Sequence, residues 1–258
     1  MVFVVDVGNT NMEFGVFEQG KLCQSFRLVT RRDITSDEVG LQIRTFFSIH
    51  GLRPEDVEDV VITSVVPQVM YSMKNAFRKY LGKEPLVVQE NLEIPIVNRY
   101  SNPAEVGADR LVNSFAALRK YGAPLIVVDF GTATTFDVID PSGAYLGGSI
   151  YPGIKVSLDA LVGNTSKLPR VEIEPPAKVV GDNTVSSIQS GIVYGYCGAV
   201  IHMLKLIRQE LGVEAKAVAT GGLSGMIGRQ TGAFAAIDKS LTLDGLELIY
   251  REGHRHGC

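Results

Sequence analysis

The sequence predicts an α/β protein built as two related halves, and three observations carry that prediction. Val2-Phe3-Val4-Val5 is a continuous apolar run rich in β-branched residues, the pattern of a strand buried on both faces, and it ends in Asp6-Val7-Gly8-Asn9-Thr10. Leu125-Ile126-Val127-Val128 repeats that run and ends in Asp129-Phe130-Gly131-Thr132. Late in each half another β run closes on small hydroxyl residues, Val60 to Ser64 first and Ala217 to Thr220 later. A strand-Asp-x-Gly unit followed by threonine and found twice points to duplication, with halves spanning 1–118 and 119–258.

The elements follow in order. Met12 to Phe17 resumes an extended pattern, Glu18 to Lys21 is a turn, and Leu22 to Leu28 is the next strand. The chain therefore opens as a β-meander and not as a βαβ unit. Val39, Ile43, Phe46 and Phe47, behind a Ser36/Asp37 start, predict a helix over 36–50. Val60 to Val66 is a buried strand, Pro67 opens a helix over Gln68 to Tyr80, and Leu86 to Val88 is a short strand. Leu111, Phe115 and Leu118 mark a helix from Asp109 to Lys120 that bridges the halves, which join near Leu118 to Pro124. In the second half Phe136 to Ile139 continues as Phe14 to Phe17 does, and Asp140-Pro141-Ser142-Gly143 replaces the earlier turn. Gly147 to Gly153 and Thr220-Gly221-Gly222 read as turns that allow close backbone approach, the first on a substrate side and the second on a nucleotide side. Thr184 to Gly191 reads as the polar start of a helix facing a cleft.

Composition excludes several classes. With 45% hydrophobic and 21% charged residues among 258, the chain builds a full core and is not disordered. A net charge of -3 leaves no basic excess to displace counterions from nucleic acid. Cys23, Cys197 and Cys258 are odd in number and far apart, so they form neither a disulfide framework nor a CxxC clamp and imply a reduced, cytoplasmic setting. No basic region follows Met1, so no signal peptide is expected. The 22 residues between Asp182 and Lys205 carry no charge, which matches the ~20 needed to cross a bilayer. Serines, Asn183 and Gln189 crowd its first half and Gly191, Gly195 and Gly198 punctuate the rest, so a buried, glycine-faced helix is expected instead. His254-Arg255-His256-Gly257-Cys258 imitates a metal-binding tail, but a short, glycine-flanked terminus is expected to fray.

The chemistry concentrates in a few segments. Asp6 to Thr10 forms a tight hairpin whose backbone N–H groups turn one way, with Gly8 leaving room for a phosphate oxygen and Asp6 suited to Mg²⁺ or its water. Asp129 to Asp137 sets three threonines beside two carboxylates, a dense oxygen-donor surface for phosphate or a hard cation. Asp109, in Gly107-Ala108-Asp109-Arg110, sits at a helix start, either as an N-cap or as a general base, and Arg110 suits an anionic group. Asn98 to Pro103 is a polar loop with Tyr100 in it. No Walker or Rossmann glycine motif is present.

Taken together and in this order, these motifs resemble the type III pantothenate kinases of the acetate and sugar kinase/Hsp70/actin superfamily. The resemblance rests on Asp6 to Thr10, Gly107 to Arg110, Asp129 to Thr135, Gly147 to Gly153, Thr184 to Gly191 and Thr220 to Gly222, and it spans essentially the whole chain. It implies two duplicated ribonuclease H-like (actin-like ATPase) domains with mixed central sheets and an interdomain cleft. It also implies transfer of the ATP γ-phosphoryl group to the hydroxyl of pantothenate, the first step of coenzyme A synthesis. By similarity Asp109 is the proton acceptor. The ATP loop is Asp6, Val7, Gly8, Asn9, Thr10, Asn11, Met12 and Glu13, with Thr132 also on ATP. Asp129 holds K⁺ or NH₄⁺, Asp6 serves Mg²⁺, and Tyr100, Gly107, Ala108, Asp109, Arg110 and Thr184 hold pantothenate. Family members are homodimers with the substrate site near the subunit interface. Glu13 departs from some members that carry lysine there, so the resemblance carries over no direct cation-phosphate contact from that side chain and leaves backbone contacts in the loop. Two rival readings use the same hairpins: a nucleotide-dependent regulator akin to accessory transcription factors, and a phosphohydrolase with water as acceptor.

Overall fold

Two sheets with one strand order organise the chain. The computed structural model describes residues 1–255, so His256, Gly257 and Cys258 of the terminal tail lie outside the described residues. β1 (Val2–Val7), β2 (Asn11–Glu18) and β3 (Lys21–Val29) form the expected meander, followed by α1 (Ser36–Ile49), β4 (Asp59–Ser64), α2 (Pro67–Leu81), β5 (Leu86–Val87) and α3 (Ala108–Tyr121). Then come β6 (Leu125–Phe130), β7 (Ala133–Ile139), β8 (Tyr145–Pro152), α4 (Ile154–Gly163), α5 (Thr184–Leu211), β9 (Lys216–Thr220), α6 (Ser224–Thr231), β10 (Ala236–Ile237) and α7 (Leu241–Arg255). The sheets run β3-β2-β1-β4-β5 and β8-β7-β6-β9-β10. In each, the first strand pairs antiparallel with the second and parallel with the fourth.

The chain separates into two compact units. Among the described residues one contains 1–96, 102–116 and 240–255, and the other contains 97–101 and 117–239. This partition is less simple than a cut after Leu118: α3 contributes to both units, and α7 packs with the first sheet. Long-range burial explains the second point, because α7 supplies Leu243, Leu246 and Ile249 to cover Val2, Val4 and Val61.

In the first unit β1 is buried on both faces, as its unbroken apolar run requires. Phe3, Val5 and Phe14 face α1 and α2, where the Phe3 ring meets Phe47 edge-on at 5.4 Å. The opposite face packs on Ala108, Val112 and Phe115 of α3 as well as on α7. A capping box between Thr35 and Glu38 starts α1, and left-handed Gly82 stops α2.

In the second unit Ile126, Val128 and Phe130 of β6 pack on Val193, Cys197, Val200 and Leu204 of α5. Among the described residues α5 is the one helix long and apolar enough to cross a membrane. Its apolar stripe is part of this core. The expected glycine-faced burial is corrected in its detail, because Gly191, Gly195 and Gly198 face outward with nothing within 4 Å of a Cβ placed on them. A second correction concerns Gly147 to Gly153. All of it but Gly153 lies in β8, paired with β7, and is not a turn.

Candidate functional site

The first constellation is built in the first unit. β1 and β2 leave a short loop in which the Gly8 N–H donates to the Asn11 carbonyl at 3.0 Å. Thr30, just past β3, pins this loop: its hydroxyl donates to the Gly8 carbonyl at 2.7 Å and its N–H to the Thr10 carbonyl at 2.9 Å. Nothing in the sequence pattern of β3 singles out Thr30 for that role. Asn9 and Thr10 are exposed at the tip, whereas Val7 and Met12 are wholly buried in the core. Contacts of Val7 or Met12 with a phosphate would therefore be made by backbone. Asp6 stands across from Glu13 on β2 and from Thr63 on β4. Glu13 is held by Arg27 of β3 at 3.0 Å, so its carboxylate already has a cation beside it.

Gly107 to Arg110 lies at the start of α3 in the same unit. The N-cap reading of Asp109 is corrected, because Asp109 is the second residue of α3 and the Gly107 carbonyl accepts from the N–H groups of Arg110 and Leu111. Asp109 Oδ1 accepts from the Arg110 N–H at 2.8 Å. Burial pushes its carboxyl above the ordinary aspartate range; the Arg110 N–H and the neighbouring guanidinium offset this only in part. A helix N-terminus favours negative charge, yet desolvation wins here. Gly107 makes room for this carboxylate, since a Cβ on it would stand 2.6 Å from Asp109 Oδ1.

The second constellation lies in the other unit. Asp129 is the next-to-last residue of β6, opposite Thr135 of β7 and Thr220 of β9. Gly221 turns away from β9 with φ +88°, and a Cβ there would stand 2.5 Å from Asp129 Oδ1 and 2.7 Å from the Phe130 carbonyl oxygen. A carboxylate and a carbonyl oxygen thus converge where only glycine fits, an oxygen set suited to a hard cation. Thr132 is exposed on the β6–β7 turn, and its carbonyl accepts from the Gly153 N–H at 3.2 Å. The rest of the expected oxygen-donor surface is corrected. Thr134 is buried and hydrogen-bonded to Tyr196, and Asp137 is buried and accepts from Thr135 at 2.7 Å and from the Tyr145 hydroxyl at 2.9 Å. Thr134 thus ties β7 to α5, and Asp137 ties β7 to β8.

Tyr100 and Thr184 also belong to the second unit. The loop carrying Tyr100 is clipped to β8 by the Arg99 N–H on the Tyr145 carbonyl and the Tyr145 N–H on the Val97 carbonyl, both 2.8 Å. The Tyr100 ring covers Gly147, where a Cβ would come within 3.0 Å of it. Thr184 opens α5 behind the cap Asn183 and lines a cavity of about 630 Å³ with Leu161, Leu168, Ile188 and Ile192. Tyr100 is not in that cavity's lining. Within one chain the structure therefore gathers Asp6 to Glu13 with Gly107 to Arg110 in one unit, and Asp129 with Thr132 in the other.

Comparison with known proteins follows this geometry. The family model described as type III pantothenate kinase matches residues 2–206. Among solved structures, the chain is similar to a Baf family transcriptional activator from Campylobacter jejuni, with 19% identity, 98% and 99% coverage of the two chains and a TM-score of 0.60. It is similar to a 2-dehydro-3-deoxygalactonokinase from Sinorhizobium meliloti at 10% identity, 98% and 96% coverage and a TM-score of 0.55. It is also similar to component A of (R)-2-hydroxyglutaryl-CoA dehydratase from Acidaminococcus fermentans at 12% identity, 95% coverage of both chains and a TM-score of 0.54. At these identities the likeness shows the fold alone, that of the actin-like ATPases and sugar kinases.

Proposed function

Because the chain belongs to the type III pantothenate kinase family and is an ATP-dependent kinase, we propose that it transfers the ATP γ-phosphoryl group to the primary hydroxyl of pantothenate, giving 4'-phosphopantothenate. The observation that carries this reading is Asp109, a partly buried carboxylate at the start of α3 with its pKa raised by desolvation. A raised pKa makes it a stronger base than an exposed aspartate. The pantothenate oxygen forms a bond to the γ-phosphorus while the bond from that phosphorus to the β,γ-bridging oxygen breaks. The hydroxyl proton passes to Asp109, and ADP leaves. Such transfers run through a loose transition state, so positioning and charge stabilisation carry most of the rate. Arg110 is placed next in sequence to face an anionic group.

The phosphates are assigned to the loop from Asp6 to Glu13 and to Thr132. Exposed Asn9 and Thr10 present side chains and backbone, and Val7 and Met12 only backbone. The residues present fit a divalent cation: Asp6 is flanked in register by Glu13 and by the buried hydroxyl of Thr63. Asp6 and Glu13 would hold magnesium there, and the ion would supply positive charge to offset that of the phosphates. Asp129 is assigned to K⁺ or NH₄⁺, supported by the oxygens that converge on Gly221.

Pantothenate is assigned to Tyr100, Gly107 to Arg110 and Thr184. Tyr100 and the cavity lined by Thr184 are separate features of one chain, which favours a homodimer in which Thr184 acts from the second copy. The outward face of α5 supports this, since Gly191, Gly195 and Gly198 lie open and Val185, Ile201 and Leu206 are exposed on the same helix. A reduced, cytoplasmic setting accords with a pathway that acts on soluble metabolites.

The test is ADP release measured with and without pantothenate in potassium buffer. Release that requires pantothenate supports the kinase. Release without an acceptor establishes a phosphohydrolase instead, and nucleotide binding without turnover establishes a regulator.

A further inference from the structure

The loop that carries Tyr100 is anchored to the second sheet by a single bridge. Asn98 pairs with Tyr145, the first residue of β8, and the Arg99 N–H is the last backbone group of the loop bonded to that strand. From Asn102 the chain belongs to the first unit. Tyr100 therefore stands just past the end of its backbone anchorage. Its N–H donates to Asn98 Oδ1 at 3.0 Å, and its ring rests on Gly147, whose φ of +128° and missing Cβ leave it a seat. Segments held by so few buried contacts open locally at little cost.

A buried carboxylate supplies the further hold. Asp140, in the turn between β7 and β8, is buried, and its two oxygens serve different partners. Oδ1 accepts from the Ser142 N–H at 2.8 Å, the Ser142 hydroxyl at 2.6 Å and the Ala144 N–H at 3.0 Å, which closes the turn. Oδ2 accepts from the Arg99 guanidinium at 3.0 Å, 41 residues away in sequence. An asparagine would close the turn as well, so the charge on the second oxygen matters for Arg99 alone. Burial opposes that charge, but Ser142, Ala144 and Arg99 together outweigh it and hold the carboxyl below the ordinary aspartate range. The Arg99 side chain is 55% exposed, and a pair with one solvated partner contributes little to stability. What the pair fixes is geometry. Arg99 is one peptide bond from Tyr100, so pinning its guanidinium to the turn restricts the torsions that aim the tyrosine. We propose that Asp140 and Arg99 are positioning residues for pantothenate: their ion pair locks the loop and keeps Tyr100 seated on Gly147, where it receives the acceptor. The proposal rests on the reading that gives Tyr100 to pantothenate, and it adds two residues that lie outside the motifs.

The experiment compares wild type, Asp140→Asn, Arg99→Ala, the double variant and Tyr100→Ala by steady-state kinetics, with pantothenate and ATP varied separately, and by thermal unfolding. In Asp140→Asn the amide oxygen keeps the turn donors while its NH₂ group faces the guanidinium, so the turn survives and the clamp is lost. Each of the two single clamp variants is expected to raise KM for pantothenate by about 3–10-fold, the range of one net hydrogen bond, with kcat and KM for ATP near wild type. The double variant is expected to match the single ones, because both remove the same contact. Tm is expected to fall by no more than about 2–4 °C in all three. A merely structural pair would lower Tm and leave KM for pantothenate where it was. The proposal is overturned if Arg99→Ala or a folded Asp140→Asn keeps the wild-type KM for pantothenate. It is also overturned if Arg99→Ala raises KM for ATP as much or loses more Tm than stated, or if the double variant shows the product of the single effects. Should Asp140→Asn fail to fold, Arg99→Ala decides alone, since it touches no turn residue. An unchanged KM for pantothenate in Tyr100→Ala overturns the assignment of Tyr100, and the proposal with it. A raised KM there beside wild-type values in the clamp variants overturns the proposal alone.

Discussion

The two sheets repeat one strand order, yet the aspartate next to the end of each central strand keeps different company. Asp6 has Glu13 on one side and Thr63 on the other, whereas Asp129 has Thr135 and Thr220. The hairpin of the second half is one residue shorter, and its Thr135 is turned to Asp137. Where β4 runs on through Val65 and Val66 into α2, β9 runs into Gly221, whose bare backbone lies against the Asp129 carboxylate. Duplication has kept the scaffold and altered the charge. Two carboxylates side by side suit a divalent ion with its waters; one carboxylate with backbone oxygen suits a monovalent ion.

If the first half carries the chemistry, its loss is the largest effect. Asp109→Asn is expected to cut turnover by about 10²–10⁴-fold while nucleotide affinity stays near wild type, measured by steady-state kinetics and calorimetry. Wild-type turnover in this variant removes the base assignment. The raised pKa also fixes two signs. The base must be ionised to accept a proton, so the acidic limb of kcat/KM lies above the ordinary aspartate range and vanishes in the variant. For stability, the folded state holds the proton to higher pH than the unfolded chain. Ionised Asp109 therefore destabilises the fold above its folded pKa, and this penalty fades as pH falls through that value toward the unfolded one. Asp109→Asn is expected to be more stable than wild type at neutral pH, and denaturant titrations at falling pH are expected to close the gap.

Gly107→Ala probes the same half more gently. The new methyl group would stand 2.6 Å from Asp109 Oδ1, the mobile end of a side chain, so the carboxylate shifts and the helix stays. Displacement of about an ångström costs up to roughly 10²-fold in turnover. The expected result is lower kcat with an unchanged Tm; a large Tm loss would mean that the backbone gives way instead.

The second half is predicted to answer to a different ion. Activity is expected to fall when Na⁺ replaces K⁺, and equal rates in both remove Asp129 from the cation role. Gly221→Ala places a methyl group against both Asp129 Oδ1 and the Phe130 carbonyl oxygen. Cation affinity, read as the K⁺ concentration that half-activates, is expected to weaken by roughly 10–100-fold, with magnesium dependence unchanged. If both ions lose together, the division between the halves fails.

Much of this was legible before any coordinates. The runs ending at Asp6 and Asp129 gave strands buried on both faces, because apolar residues without alternation leave no solvent face. Asp109 was legible as a helix-start carboxylate, but whether it caps the helix or stands within its first turn depends on two residues of register. Thr134 and Asp137 misled because residue type cannot distinguish a ligand donor from a partner of Tyr196 or Tyr145, which are distant in sequence. Gly147 to Pro152 looked like a turn by glycine content, and strand pairing with β7 overrode that propensity. The place of Thr63 beside Asp6 needed the parallel pairing of β1 with β4, which no local pattern specifies.

Thr134 supplies the smallest effect. It is a buried threonine next to the second hairpin, and valine would fill the same volume. Thr134 shares a hydrogen bond with the buried Tyr196 hydroxyl, whose pKa burial pushes up. Removing the Thr134 hydroxyl takes away one of that phenol's two partners, the other being the Ile154 backbone N–H, a loss of about 1 kcal/mol. In a chain of this size each kcal/mol lowers Tm by about 2–4 °C. Thr134→Val is therefore expected to unfold at lower temperature with turnover per folded molecule unchanged, by thermal denaturation and steady-state kinetics. Lower turnover per folded molecule would place the Thr134 hydroxyl in the site and not in the fold.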